Sequence, residues 1–355
     1  MLVAFLIKKF GGSILNTKVI WFNHWFSAII NTVEAIKKAF PDVKIIGSNR
    51  LDTCVYKYAV DEFYIEPTGL SGDEYTEFAL NFCKEHSVDI FFVKAGMSGI
   101  AKYKEKFTDI GTTVICEDIS VLNAFDSKSG IYNQLEKMGY KYNPDYYIVN
   151  SADEFIEAAN KIRDNGDGVC IKYDTDEGAN SFRIVTDGFI NPKHLDEPSM
   201  NLLSFDNAEK ILRSAERSGT FKPIIVMPYL NGPEVSVDCL MTANHGLVTL
   251  PRYKVGSRIK EVKLTKELMD DCVELNKIFD FKYIFNAQYR WTKDGKPKLL
   301  EINPRISGGL HLTSMCGFNL VIELISDILG VKSNQSLSDI KECKVTQYET
   351  PVLLD

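Results

Sequence analysis

Two carboxamides and one carboxylate stand close together in the C-terminal third of the sequence. The run Phe285-Asn286-Ala287-Gln288-Tyr289-Arg290-Trp291 is followed by Lys298-Leu299-Leu300-Glu301-Ile302-Asn303, with the turn signal Asp294-Gly295 between them. Such a pattern predicts a β-hairpin. Side chains alternate faces along a strand, so Gln288 and Arg290 share a face, as do Glu301 and Asn303. A carboxylate and two amide oxygens converging from adjacent strands make a hard, all-oxygen site. That chemistry suits Mg²⁺ bound together with phosphates, and not zinc. A hairpin face merely in water does not explain why Glu301 and Asn303 directly follow the apolar Leu299-Leu300 and precede the Pro304-Arg305 corner. Ser307-Gly308-Gly309 then opens a helix, either as an ordinary cap or with amides facing an anion.

The elements that must position this hairpin can be read from the hydrophobic period. Short apolar strands at 18–22, 43–47, 89–93 and 112–116 alternate with helical patterns at 28–40, capped by Ser27, and 73–86. This predicts parallel βαβ units over residues 1–124. Gly11-Gly12 and Gly96-Met97-Ser98-Gly99 lack a dinucleotide fingerprint and read as turns. Helical patterns at 127–138 and 152–163 flank a strand at 146–149. Strand candidates follow at 168–173, 181–185, 223–229, 234–241, 246–251, 283–291 and 297–302. A helix at 265–279 interrupts them, and a helix pair at 306–316 and 318–329 closes the pattern. Strands beside strands predict antiparallel sheets, so the second half is α+β in character. Residues 191–199, with two prolines, read as a surface excursion.

A chain of 355 residues is long enough for two or three domains with cores of their own. Forty-one basic against 48 acidic residues give a net charge of −7, which argues against a protein that grips nucleic-acid backbone. No apolar run reaches membrane-spanning length. Residues 1–7 are apolar, but no basic segment precedes them, so a strand or ordered extension is expected in place of a signal peptide. The eight cysteines form no CxxC pair and are expected as buried free thiols of a cytoplasmic protein. No HxxxH spacing marks a zinc site.

Glu301-Ile302-Asn303-Pro304-Arg305, with Gln288 thirteen residues upstream, resembles the metal-binding hairpin of the ATP-grasp enzymes. The likeness is greatest to the carbamoyl phosphate synthase-like branch, which includes carboxylate–amine ligases. The resemblance covers roughly residues 120–330 and implies further residues. Lys128 and Lys172 match two phosphate-binding lysines. Gly178, Ala179, Asn180 and Ser181 fall where a loop covers the phosphates, although that loop holds one glycine and three acids. Val226-Met227-Pro228-Tyr229-Leu230 matches the adenine segment, with the Pro228 carbonyl and Leu230 N–H on the adenine edge and Met227 as a wall. Glu234 stands where the family has a ribose-binding acid. Arg252, Lys254 and Arg258 surround Gly256, either as a clamp for phosphates or a substrate carboxylate, or as a solvated basic loop. Arg305 would hold the transferring phosphoryl group.

The fold so implied is an N-terminal open α/β module over 1–124, then a two-part ATP-grasp region over 125–330, and a tail over 331–355. Within the ATP-grasp region the middle part is 145–229 and the hairpin part is 230–330. The implied activity is ATP-dependent ligation with Mg²⁺ (or Mn²⁺), in which a small carboxylate is phosphorylated and the acylphosphate is captured by an amine. A homodimer is a family-level expectation. His24, Trp25, Arg290 and His311 are further candidates for substrate contact. The alternative is a nucleotide-binding regulatory or scaffold protein with a degenerate site, to which the glycine-poor loop points.

Overall fold

A computed structural model describes residues 17–175, 180–187, 201–256, 258–348, 351 and 353. Residues 1–7, Gly11-Gly12, the 191–199 excursion, Gly178 and Ala179 lie outside the described residues. Contacts divide the chain into two units. The first runs to Cys116 and includes Val321–Ser333; the second comprises Glu117–Leu320 and Asn334–Tyr348.

In the first unit, five strands form a parallel sheet. They are β1 (Val19–Asn23), β2 (Lys44–Asn49), β3 (Glu62–Ile65), β4 (Ile90–Phe92) and β5 (Thr113–Ile115), in the order β3-β2-β1-β4-β5. Every residue of β1 is buried, as expected of a strand covered on both faces. The helices are α1 (Ile29–Ala39), α2 (Gly72–Glu85), α3 (Met97–Lys102) and α4 (Lys104–Asp109). Two local expectations need correction. Helix α1 starts after Ala28 with no side-chain cap, so Ser27 does not cap it. Gly96 does not sit in a simple turn: at φ 71° it leads directly into α3.

The second unit holds two further sheets. Helices α5 (Ile119–Ala124) and α6 (Lys128–Lys137) lead into the first of them. Its strands are β6 (Tyr147–Val149), β7 (Val169–Tyr173), β8 (Arg183–Thr186), β9 (Leu202–Ser204) and β10 (Ile224–Pro228), in the order β6-β10-β7-β8-β9. One face packs on α7 (Ala152–Asp164) and α8 (Phe205–Arg217) through Phe155, Ile162, Ile171, Ala208, Leu212 and Val226. The other face presents Cys170, Ile225 and Met227, which meet Tyr132 of α6.

The third sheet has the order β15-β14-β11-β12-β13-β16. Its strands are β11 (Glu234–Thr242), β12 (Gly246–Lys254), β13 (Lys260–Val262), β14 (Ile284–Trp291), β15 (Pro297–Asn303) and β16 (Cys343–Val345). Strand β16 comes from the stretch expected as a tail. One face is apolar: Val235, Val237, Phe285, Ala287, Tyr289 and Ile302 pack with α6 and with Leu268, Cys272 and Leu275 of α9 (Lys266–Phe279). Helix α10 (Leu310–Thr313) follows, and α11 (Leu320–Leu329) falls, but for Leu320, in the Val321–Ser333 stretch of the first unit. All eight cysteines are free and six are buried. Among the described residues no single helix is long and apolar enough to cross a membrane.

Asp271 of α9 is buried under that apolar face, where its carboxylate accepts from the Tyr140 and Tyr289 hydroxyls. Burial holds its pKa above the ordinary carboxylate value, partly opposed by those two hydrogen bonds. A raised folded-state pKa contributes stability at low pH that is lost as pH rises through the folded value. Asp271→Asn cannot ionise. Its melting temperature relative to the native chain should therefore improve as pH climbs from about 4 through the mildly acidic range. A difference independent of pH would contradict this.

Candidate functional site

The hairpin forms from β14 and β15, and its register decides which side chains meet. Gln288 lies opposite Glu301, and Asn286 lies opposite Asn303. Strand β11 extends both rows, with Ser236 opposite Gln288 and Asp238 opposite Asn286. Strand β12 adds Arg252 opposite Ser236. The polar face of the third sheet therefore carries the row Arg252–Ser236–Gln288–Glu301, with Asp238–Asn286–Asn303 beside it. Fully buried Asn286 donates to Asp238 Oδ1 at 2.8 Å and accepts from Gln288 Nε2 at 3.4 Å. That contact uses the amide nitrogen of Gln288 and leaves its oxygen available as an acceptor.

Between Gln288 and Tyr289 the ladder slips by one residue, because Leu300 is extra on β15. Such a β-bulge re-aims backbone groups. The freed Leu300 carbonyl accepts from the Tyr132 hydroxyl at 2.5 Å and from Lys172 Nζ at 3.4 Å. Lys172 Nζ also donates to the Tyr132 hydroxyl at 3.1 Å. The lysine of the second sheet is thus tied to the backbone of the third. Burial, then the nearby Glu301 carboxylate, raises the Tyr132 phenol well above its ordinary pKa, so it stays protonated and can donate. Burial likewise pushes the Cys170 thiol up to about 12.

Lys128 opens α6, where Ser127 caps the Gly130 N–H. Asp174 follows β7, and its two oxygens accept from the Ser129 N–H and hydroxyl at 2.8 and 2.7 Å. This acid of the expected phosphate loop is therefore spent on anchoring the start of α6. Ser181 Oγ accepts from the Tyr173 N–H, and the Asn180 carbonyl accepts from Arg183.

Strand β10 ends at Pro228, and the Tyr229 N–H donates to the Gly168 carbonyl at 2.7 Å. The chain then crosses to β11 through Gly232. A Cβ at Gly232 would lie 2.6 Å from the Trp291 carbonyl, so only glycine fits this crossing without displacement. A cleft of about 150 Å³ lies beside it. Lys128, Lys172, Met227, Pro228, Leu230, Glu234, Gln288 and Glu301 all line this cleft, with Cys170, Phe182, Tyr229, Arg290 and Leu300. Glu234 stands 3.7 Å from Arg290 and 3.9 Å from Lys254. The Arg290 guanidinium lies 5.4 Å from the Tyr229 ring centroid. A larger cavity of about 340 Å³ shares Met227, Pro228, Tyr229 and Leu230 but is otherwise lined by Gly166, Gly168 and surface charges such as Lys293 and Asp294.

Other candidates fall elsewhere. Asn303, Arg305, Arg252 and Lys254 are not among the residues lining the 150 Å³ cleft. Asn303 keeps its place on the hairpin face opposite Asn286. Arg305 donates to the Ile306 carbonyl at 3.3 Å. Arg252 is buried, and Lys254 is 53% exposed. The Arg258 carbonyl accepts from Thr346. His311 pairs with Gln347 at 3.0 Å. In the first unit, His24 bonds the buried Glu66 at 2.7 Å, and buried Trp25 donates to the Phe92 carbonyl. Sequence reading missed Tyr132 and Leu300. Tyr132 had a signal, since it stands four residues after Lys128 on one helix face. Leu300 had none, because a bulge is a property of two strands together.

Residues 220–351 match the family described as "ATP-grasp in the biosynthetic pathway with Ter operon". No curated protein matches the chain by sequence. Among solved structures, the fold is similar to the biotin carboxylase domain of Hydrogenobacter thermophilus 2-oxoglutarate carboxylase, a dimer in complex with MgADP, ADP and bicarbonate. The TM-score is 0.62 at 17% identity, covering 91% of this chain and 72% of that one. Biotin carboxylase from Campylobacter jejuni gives 0.62 at 15%, covering 92% and 74%. N5-carboxyaminoimidazole synthetase from Staphylococcus aureus, complexed with ADP, gives 0.61 at 14%, covering 89% and 78%. The parallel sheet of the first unit and the two sheets of the second match the ATP-grasp architecture of biotin carboxylase, and the C-terminal segment matches an ATP-grasp family.

Proposed function

We propose that this chain is an ADP-forming ligase that joins a small carboxylate to an amine. The observation that carries the reading is one cleft lined by Lys128 and Lys172, by the 227–230 segment, and by Gln288 and Glu301. Residues of the kinds that would hold a nucleotide and a metal line a common space there. The Leu230 N–H donates to no other described residue, which leaves it for an adenine edge beside the Pro228 carbonyl. Glu234 would take the ribose hydroxyls. Lys128 and Lys172 would neutralise the phosphates by charge-assisted hydrogen bonds. Asn180 and Ser181, with Gly178 and Ala179, would cover them.

Gln288, Glu301 and Asn303 fit a hard divalent cation, because they offer one carboxylate and two amide oxygens on facing strands. When bound, Mg²⁺ (or Mn²⁺) would supply charge neutralisation across the phosphates. A substrate carboxylate oxygen would attack the γ-phosphorus, and ADP would leave with the electrons of the broken P–O bond. An amine would then attack the acyl carbon and release phosphate and a proton. Lys172 and Arg305 would stabilise the equatorial oxygens of the transferring group. Closure of the 145–229 part onto the 230–330 part would keep water from the acylphosphate.

The test is Mg²⁺-dependent ADP release across paired carboxylates and amines. The account expects release that needs both partners and vanishes in Glu301→Gln and Lys172→Ala. Normal turnover in both variants would refute the assignment. Stoichiometric ATP binding with no ADP formed across the panel would favour the regulatory alternative. Tyr132→Phe removes the hydroxyl that joins Lys172 to Leu300. It should cost about 1 kcal/mol of stability and raise the KM for ATP by several-fold. An unchanged KM would mean that Lys172 is positioned without it.

A further inference from the structure

Arg290 lines the 150 Å³ cleft with its charge largely unmet. Its Nε is buried and meets no acceptor among the described residues. The Glu234 carboxylate, its register partner on β11, stays 3.7 Å from Nη2, beyond hydrogen-bond length. Neither Nη nitrogen bonds a described residue, and both keep access to solvent. A guanidinium drawn partly out of water is costly while its donors and charge go unmet. What it does meet is a π face. The Tyr229 ring centroid lies 5.4 Å from Cζ, within cation–π range.

Its place in the sheet sets what reaches it. Arg290 follows Gln288 on the same face of β14, about 7 Å along the strand. Gln288 and Glu301 are the residues proposed for the metal, and so for the phosphate end of a nucleotide. In the other direction lies the crossing that follows the 227–230 segment. There the Trp291 N–H donates to the Pro233 carbonyl at 3.3 Å, and the Gly232 N–H to the Trp291 carbonyl at 3.2 Å. A nucleotide with phosphates at Glu301 and its base edge at 228–230 therefore brings its base end past Arg290. Across the cleft the second sheet offers Cys170 and Met227, which pair in register and are both buried. Burial sets the high pKa of the Cys170 thiol, and the charges of Lys172 and Arg290 pull it the other way. The guanidinium thus lies within electrostatic reach of the opposite wall. One wall of the base site is apolar, and the other carries a cation.

We infer that Arg290 stacks its guanidinium on the face of the nucleobase, opposite Cys170 and Met227, and so selects for a purine. This rests on reading the cleft as a nucleotide site, and it moves Arg290 from the substrate to the base. A guanidinium plane over an aromatic ring is attracted by the negative face of the ring, more strongly where water is excluded. A purine offers it a larger face than a pyrimidine does. Stacking uses the plane of the group and leaves the N–H fork at its edge free. Arg290 can therefore pair with Glu234 while that acid takes the ribose. A leucine at this position would make an equal apolar wall with no charge to satisfy. The cation is accounted for by a π face, whereas an apolar wall alone does not require one.

The test is thermal unfolding of the full chain, titrated with MgATP, MgCTP or magnesium tripolyphosphate. Native protein, Arg290→Leu and Arg290→Gln are compared. Both variants lose the charge. Arg290→Leu keeps an apolar wall, and Arg290→Gln keeps a planar polar end should Arg290→Leu fail to fold. The affinity for ATP should fall at least about fivefold in each folded variant. The loss for CTP should be smaller, and the affinity for tripolyphosphate, which has no base, should hold. ATP bound as tightly by a folded variant as by native protein would overturn the proposal, because Arg290 would then be a plain wall. An equal fold loss for ATP and tripolyphosphate would overturn it by placing Arg290 on the phosphates. An equal loss for ATP and CTP would overturn the selection for a purine. No MgATP shift in native protein would instead sink the nucleotide reading, and this inference with it.

Discussion

An ammonium group held between two sheets is the constraint on which the rest of the site depends. Lys172 leaves the second sheet and reaches the Leu300 carbonyl of the third, with the Tyr132 hydroxyl bridging both. A polyphosphate repels itself, so it needs fixed cations on one side and a metal on the other. The lysine comes from β7, and the residues proposed to hold the metal come from β14 and β15. A contact that fixes the distance between these strands is therefore what turns separate polar residues into one cleft. The bulge at Leu300 provides it, by turning a carbonyl out of the ladder toward the lysine.

Beneath the hairpin runs a continuous buried chain of amides and charges. Gln288 leans on Asn286, Asn286 on Asp238, and Asp238 on Thr313 and Arg252. Networks of this kind fix orientation because each member has few alternative partners in a low-dielectric interior. The amide of Gln288 is therefore aimed by residues on three strands and on α10. The same chain ends on the buried Arg252 guanidinium.

Much of this was legible in the sequence, and the limits of legibility are physical. The hairpin was readable because Asp294-Gly295 and strict alternation are local signals, and β14 and β15 form as Ile284–Trp291 and Pro297–Asn303. The parallel sheet followed from short apolar runs alternating with helices. Helix α8 was passed over, although Phe205, Ala208 and Leu212 have helical spacing, because the polar stretch before it reads as a loop. Strand β16 could not be foreseen, since three residues pair with β13 more than eighty positions away. The roles of Asp174 and Arg252 depended on what lay across space from them. Asp174 reads as a loop acid and anchors α6; Arg252 reads as either a ligand clamp or part of a solvated loop, and it is buried.

The most direct measurement is a crystal structure of the chain with Mg²⁺ and a non-hydrolysable ATP analogue. The account predicts one nucleotide with its phosphates between the ammonium groups of residues 128 and 172, its adenine at 228–230, and a cation on the carboxylate of residue 301. A nucleotide seated in another cavity, or phosphates out of reach of both lysines, would contradict it.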